Sequence, residues 1–334
     1  MTTALDTERL GKRYRGRWAL RDCTLAIPTC HVVGLVGPNG AGKTTLLQLA
    51  VGLLAPTTGT IEVLGAPPGV GRTQLGRVGF VAQETPVYAR LSVADHLRLG
   101  AKLCPNWDAE LAEHRMSELD FDFHQRAGSL SGGQRAQLAL TLAIAKRPDL
   151  LLLDEPAASL DPLARRAFLQ GLMEVVVEQG TSVVLSSHLV ADLERVCDYL
   201  IVLGASRVQL SGEVEELLAT HHRLIGPRRD VKRLPANQHV IEESHTDRSS
   251  TLLIRTAEPI LDPSWTVERV TLDDLVLAYM GAADGNNTGG LAWRSNDDLV
   301  DVASVPHPGS RCLRCAHGRR GRAAADRAAH RPLL

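Results

Sequence analysis

No stretch of this sequence approaches the roughly 18 consecutive apolar residues that a membrane-crossing helix requires. The chain is therefore not expected to span a bilayer itself. The segment Met1 to Arg17 alternates charged and apolar residues and lacks the apolar core of a signal peptide. Net charge is nearly absent: 37 Lys and Arg against 38 Asp and Glu leave −1. Nothing global attracts a polyanion or an anionic membrane surface, so no nucleic-acid partner is expected. The six cysteines (Cys23, Cys30, Cys104, Cys197, Cys312, Cys315) are scattered, and only the last two are close. That is not the spacing of a disulfide framework, and it points to a reducing compartment.

What is present is an ordinary globular composition, 44% hydrophobic and 22% charged over 334 residues. This length suffices for one large domain or two modest ones. The first specific signal is Gly37-Pro38-Asn39-Gly40-Ala41-Gly42-Lys43-Thr44-Thr45, which fits the pattern G-x-x-x-x-G-K-[ST]. The β-branched run Val32–Val36 before it reads as a buried strand, and Thr45–Ala50 after it as a helix start. Glycines let backbone N–H groups turn inward around phosphate oxygens, and the helix N-terminus adds partial positive charge. Lys43 can reach the β- and γ-phosphates, and the Thr44 hydroxyl can ligate Mg²⁺.

A second glycine turn, Leu130-Ser131-Gly132-Gly133-Gln134-Arg135, precedes the helix Ala136–Lys146 and forms a second potential anion site. Two such helix ends are odd for one nucleotide and natural if two chains share two nucleotides. Four leucines, Leu150 to Leu153, make a buried strand that ends in Asp154 and Glu155. Carboxylates at a strand C-terminus lie where open α/β sheets place chemistry. Asp154 is suited to organise Mg²⁺ and Glu155 to take a proton from an attacking water. Three residues are less specific alone. Tyr14 either stacks on a base or packs at a strand end. Gln83, after the strand Arg77–Ala82, either touches Mg²⁺ or the water or is a loop residue. His188 gains interest only from its place after the strand Thr181–Ser186.

In that order the motifs resemble the ATP-binding cassette (ABC) ATPases over about residues 4–220. The Walker A loop is Gly37–Thr45, the Q-loop residue Gln83, and the signature Leu130–Gln134. The Walker B strand is Leu150–Asp154, followed by the catalytic Glu155, the D-loop Ser159–Asp161 and the switch His188. The implied fold is α/β: a P-loop NTPase (RecA-like) core with an antiparallel β subdomain and a helical signature subdomain, plus a small C-terminal α/β extension. The cassette would occupy residues 1–220, with the helical subdomain at about 86–147. The resemblance implies ATP and Mg²⁺ as ligands. Tyr14 becomes the adenine-stacking aromatic, and Thr44, Gln83 and Asp154 contact the metal. It further implies a head-to-tail dimer, homodimeric or with a paralogue. There Ser131, Gly132, Gly133 and Gln134 complete the partner's site, and Asp161 lies at the junction. Work is done on a polytopic permease at the cytoplasmic face of the cell membrane. The short helical insert and Asn106-Trp107-Asp108 are similar to stand-alone cassettes of bacterial ABC-2-type exporters.

Rival classes lack their marks. A soluble cassette protein of the translation or DNA-repair kind would carry tandem cassettes or a long heptad insertion. A switch GTPase would carry Asn-Lys-x-Asp, which is absent. Beyond the cassette, residues 221–235 are polar and basic and read as a linker. Residues 236–285 carry strand-like runs and a helix from Leu272 to Met280, a packing extension rather than an independent core. Residues 286–334, with eight Arg, four Asp and no Lys or Glu, read as a disordered basic tail. Cys312, Cys315 and His317 within it fall short of a zinc site, which needs a paired second half.

Overall fold

The computed structural model describes residues 3–84, 87–228 and 234–283. The expected basic tail, with its cysteines, and residues 229–233 of the expected linker lie outside the described residues. The polypeptide starts with a long hairpin, β1 (Thr3–Tyr14) and β2 (Arg17–Pro28), then β3 (Val32–Val36) and α1 (Lys43–Ala50). Next come β4 (Thr58–Val63), α2 (Gly71–Arg77) and β5 (Val78–Val81). The helical stretch holds α3 (Val93–Leu103), α4 (Ala109–Glu118) and α5 (Gly132–Ile144). Then follow β6 (Leu150–Asp154), α6 (Pro162–Gln179), β7 (Ser182–Ser186), α7 (Val190–Leu193), β8 (Tyr199–Gly204) and β9 (Arg207–Glu213). The chain continues with α8 (Val214–Thr220), β10 (His221–Pro227), β11 (His239–His245), β12 (Ser249–Arg255), β13 (Thr266–Arg269) and α9 (Leu272–Ala283).

The central sheet has the order β5-β6-β7-β3-β8-β9, parallel except for the antiparallel edge pair β8–β9. β3 and β6 are buried at every position, as parallel strands covered on both faces must be. The period of two then sorts their side chains. Leu150 and Leu152 join the cluster of Leu46, Leu47 and Leu49 of α1, while Leu151 and Leu153 join Leu140, Phe168 and Leu172 of α5 and α6. The antiparallel sheet β2-β1-β4 closes over the α1 side, burying Leu5, Leu10, Leu20 and Ile27 in the same cluster. The helical stretch has its own small core around Val93, Leu97, Met116 and Leu138. Its helix starts are capped. Ser92 and Asp95 form a reciprocal capping box on α3, and Asp108 accepts from Leu111 N at 2.9 Å on α4.

The linker reading of residues 221–235 is corrected for its first half. His221–Pro227 is β10, the strand between β12 and β13 in a four-stranded antiparallel sheet of order β11-β12-β10-β13. Its polar composition is misleading because Leu224 is fully buried beside Leu252, Ile254 and Trp265. His221, also fully buried, finds partners for both ring nitrogens: Leu217 O at 2.7 Å and the Tyr279 hydroxyl at 3.0 Å. Helix α9 does not stand apart, because Leu275, Val276 and Tyr279 belong to the main core under the sheet. Two polar elements, α2 and β9, were not anticipated.

Candidate active site

Because β3, β5, β6 and β7 run parallel, their C-terminal ends share one sheet edge. To that edge they deliver the glycine loop, Gln83, the Asp154–Glu155 pair and His188. The glycine loop is tightly threaded. Gly42 caps α1 at φ 108, and a Cβ there would strike the Ala19 carbonyl oxygen and the Leu20 side chain on β2. A Cβ on Gly37 would strike the Leu203 carbonyl oxygen at the end of β8. Pro38 is half-buried, Asn39 and Gly40 are exposed and Ala41 is buried. Helix α1 has no side-chain cap and no acid in its first turn, so the N–H groups around Lys43, Thr44 and Thr45 are left for an anion. The Lys43 ammonium is 5% exposed, donates to Gly37 O at 2.8 Å and pairs with Glu155 Oε1 at 3.3 Å.

Asp154 is buried, and its Oδ1 accepts from Ser186 Oγ at 2.9 Å. The same hydroxyl accepts from Glu155 N at 2.8 Å. Glu155 sits at φ 44, in the left-handed region, where a non-glycine residue costs about 1–3 kcal/mol. Its other oxygen, Oε2, lies 3.1 Å from His188 Nδ1. One carboxylate thus bridges the glycine-loop lysine and the histidine of the neighbouring strand end.

The second glycine turn is fixed by its own side chains. Ser131 Oγ accepts from Gln134 N at 3.2 Å, and Gln134 Oε1 accepts from Ser131 N at 2.9 Å, a reciprocal capping box. Gly132 and Gly133 occupy the first turn of α5, where N–H groups lack intrahelical partners. Asp161 caps α6, accepting from Leu163 N and Ala164 N, each at 3.0 Å. Among the described residues, no hydrogen bond or ion pair joins this turn to the loop at Gly37–Thr45. Tyr14 ends β1, 43% exposed, with Lys12 Nζ 5.5 Å from its ring centroid. Its hairpin is tied to the loop through Ala19 and Leu20. Gln83 lies in an exposed turn and makes no hydrogen bond to a described residue.

Two residues that the sequence reading did not single out belong to this site. Ser186, in the middle of the carboxylate pair, carried the weak signal of a serine pair, Ser186-Ser187, directly before His188. Arg165 donates to Ala157 O at 3.4 Å and Leu160 O at 3.3 Å, bracing the loop between Glu155 and Asp161. An arginine in the first turns of a helix gives no such signal in sequence.

Comparison with known proteins agrees with this geometry. The family model described as "ABC transporter" matches residues 20–158, from β2 through the loop after Glu155. The lipopolysaccharide export system ATP-binding protein LptB of Escherichia coli K12 is 32% identical over 228 residues, covering 65% of this chain and 94% of that protein. The Nod factor export ATP-binding protein I of Rhizobium johnstonii is 33% identical over 221 residues, covering 64% of this chain and 71% of that protein. A solved structure, the ATP-binding subunit of an ABC transporter, superposes with a TM-score of 0.58 at 29% identity, over 64% of this chain and 92% of that one. A relative matched over nearly its whole length, on a sheet whose strand ends carry the phosphate loop and the carboxylates, leaves one assignment: the chain belongs to the ATP-binding proteins of ABC transporters, and it is an ATP-binding cassette with ATP hydrolase activity.

Proposed function

We propose that this cassette powers export through a separate polytopic permease, hydrolysing ATP in a head-to-tail pair at the cytoplasmic face of the membrane. One observation carries the pairing: among the described residues, the helix starts at Lys43 and at Gly132 both follow glycine turns of the phosphate-binding type, and of these two only the first is joined to Glu155 and His188. Among the described residues, no hydrogen bond joins Gly132 or Gly133 to their own chain's loop, and a second copy or a paralogue is the natural source of the complement. Among the described residues, no helix is long and apolar enough to cross a membrane, so the membrane element is a partner. Export is favoured because two relatives named above are themselves export proteins.

The residues take the following roles. Lys43 leaves Glu155 and binds phosphate oxygens, with the N–H groups of Gly37 to Thr45 around them. Tyr14 stacks on the base. Glu155, freed on one oxygen, accepts the proton of the attacking water, while His188 holds its other oxygen and meets the terminal phosphate. Ser131, Gly132, Gly133 and Gln134 close over the partner's nucleotide, with Asp161 at the seam. The donor set of Thr44, Asp154 and Gln83 is oxygen-only and suits Mg²⁺. Among the described residues, no group of three or more His, Cys, Asp or Glu that could hold a metal ion is found; Mg²⁺ is commonly held by one or two carboxylates together with phosphates and water. When bound, Mg²⁺ would neutralise charge developing on the triphosphate.

The test is Glu155→Gln. ATP should still bind, turnover should fall by about 100-fold or more, and an ATP-dependent dimer should accumulate. Undiminished turnover would remove Glu155 as the base. Co-purification from native membranes should bring a polytopic protein, and exclusively soluble partners would overturn the transporter part while leaving the ATPase intact.

A further inference from the structure

The two elements offered to a partner cassette sit at the starts of two packed helices, Ser131 on α5 and Asp161 on α6. Their first turns touch: a Cβ on Gly133 would lie 3.2 Å from the Ala164 Cβ. Farther along, a side chain from a third helix is wedged between them. Arg115 of α4 is 8% exposed. Its Nη2 donates to Gln137 Oε1 on α5, and its Nη1 donates to Gly171 O on α6, each at 3.4 Å. Gly171 lies in the interior of an 18-residue helix, where glycine is among the least favourable residues. A Cβ there would run into the Arg115 guanidinium. The sequence has cut a notch in α6 for this head group.

Nothing about the arrangement is a good way to gain stability. Burying a cation is expensive, and replacing buried ionic groups by apolar ones of similar volume is often neutral or stabilising. Both hydrogen bonds are long, and Arg115 Nε has no partner among the described residues. Burial pulls the guanidinium pKa down, opposed by the carboxylates of Glu174, Glu118 and Glu178 around it. What the group does uniquely is touch both helices through a rigid fork: α5 at Gln137, within two turns of Ser131, and α6 at the Gly171 carbonyl. Sliding or rotating either helix breaks one arm.

We infer that Arg115 is a positioning residue that sets the signature turn at Ser131–Gln134 against the Asp161 loop, and so determines how readily two cassettes close over ATP. The inference rests on the head-to-tail reading above. Arg115 touches neither the glycine loop nor Glu155, so ATP binding by the single chain is a separate readout.

The test uses the full chain carrying Glu155→Gln as parent, with Arg115→Met, Arg115→Lys and Gly171→Ala added singly. ATP affinity of the monomer, the ATP-driven monomer–dimer equilibrium by sedimentation, and the thermal midpoint are measured for each. Arg115→Met should bind ATP within about twofold of parent and unfold cooperatively, yet dimerise about tenfold or more weakly. Arg115→Lys, which keeps charge without the fork, should recover part of the loss, and Gly171→Ala should reproduce the defect from the other side of the contact. Parent-like dimerisation of Arg115→Met overturns the inference. So does a loss of ATP affinity equal to the loss of dimerisation, which would make the residue merely structural. If Arg115→Met does not fold, parent-like dimerisation of Arg115→Lys and Gly171→Ala together overturns it. If the parent itself fails to dimerise with ATP, the head-to-tail reading falls and takes the inference with it.

Discussion

Ser186 makes the sharpest prediction, because one hydroxyl holds two residues of the site. It is fully buried, donates to Asp154 Oδ1 at 2.9 Å and accepts from Glu155 N at 2.8 Å. Ser186→Ala deletes both bonds and leaves a buried carboxylate oxygen and a part-buried N–H short of partners. Each unsatisfied group costs about 1–3 kcal/mol, the charged one at the upper end. A total of roughly 4 kcal/mol would lower the unfolding midpoint by roughly 8–16 °C. The catalytic effect is separable. Glu155 holds φ 44 only because its surroundings over-determine it, and the Ser186 bond is the part of that constraint made by its own N–H. Released, the residue relaxes toward ordinary backbone, and its carboxylate leaves the place between Lys43 and His188. Turnover should fall on the order of 10–100-fold, part of the range that a positioned general base supplies. ATP affinity should stay within about twofold, since the glycine loop is untouched. Steady-state ATPase, nucleotide titration and thermal unfolding on one preparation read all three. An unchanged kcat with the lowered midpoint would refute the reasoning and show that Lys43 and His188 hold Glu155 by themselves.

Two further perturbations test other parts of the structure. Gly42→Ala meets both a left-handed backbone at φ 108 and the Ala19 carbonyl, whereas Gly40→Ala meets a φ of 83 with open space around it. Gly42→Ala should therefore lower nucleotide affinity by about tenfold or more, and Gly40→Ala should cost only backbone strain of about 1 kcal/mol; equal effects would show that the close approach to β2 is unimportant. His221 is pushed down to about 4 from 6.5 by burial, so the folded state holds it neutral while the unfolded chain takes up a proton. Stability should be fully present above pH 6.5 and be lost as pH falls toward 4, on the order of 3 kcal/mol from this group; His221→Gln should flatten that part of the pH–stability curve, and an unaltered slope would assign the acid sensitivity elsewhere.

The elements that could be read from sequence are those whose physics is local. Val32–Val36 and Leu150–Asp154 announce themselves because a parallel strand covered on both faces needs an unbroken apolar run. The loop at Gly37–Thr45 is legible because a phosphate cradle needs glycine at particular places. Elements whose character comes from their neighbours were not legible. β9 is a polar edge strand recruited by β8, and α2 is built from Gly, Arg, Thr and Gln with Leu75 as its one large apolar residue. β10 looks like a linker until β12 and β13 close on either side of it, and its burial of His221 depends on Tyr279, 58 residues away. Ser186 and Arg115 share this difficulty. A serine at a strand end and an arginine on a polar helix acquire their meaning only from residues distant in the chain.

The motif residues given roles in the proposed reaction also hold the fold together, and this changes how their substitutions must be read. Ser131 and Gln134 cap α5 reciprocally, and Asp161 caps α6 through two backbone N–H groups. Loss of such a cap costs about 1 kcal/mol even with no ligand near. An alanine at Ser131 that abolishes turnover therefore does not by itself show contact with a partner's nucleotide, because fraying the first turn of α5 would also disperse the N–H groups of Gly132 and Gly133. Asparagine at Ser131 separates the two roles: it caps a helix as well as serine does, but it is larger and carries an amide in place of the hydroxyl. If the chain keeps its thermal midpoint with asparagine yet no longer pairs on ATP, the hydroxyl is needed across the interface. If pairing survives, the cap was its whole contribution, and the two glycine N–H groups do the recognising.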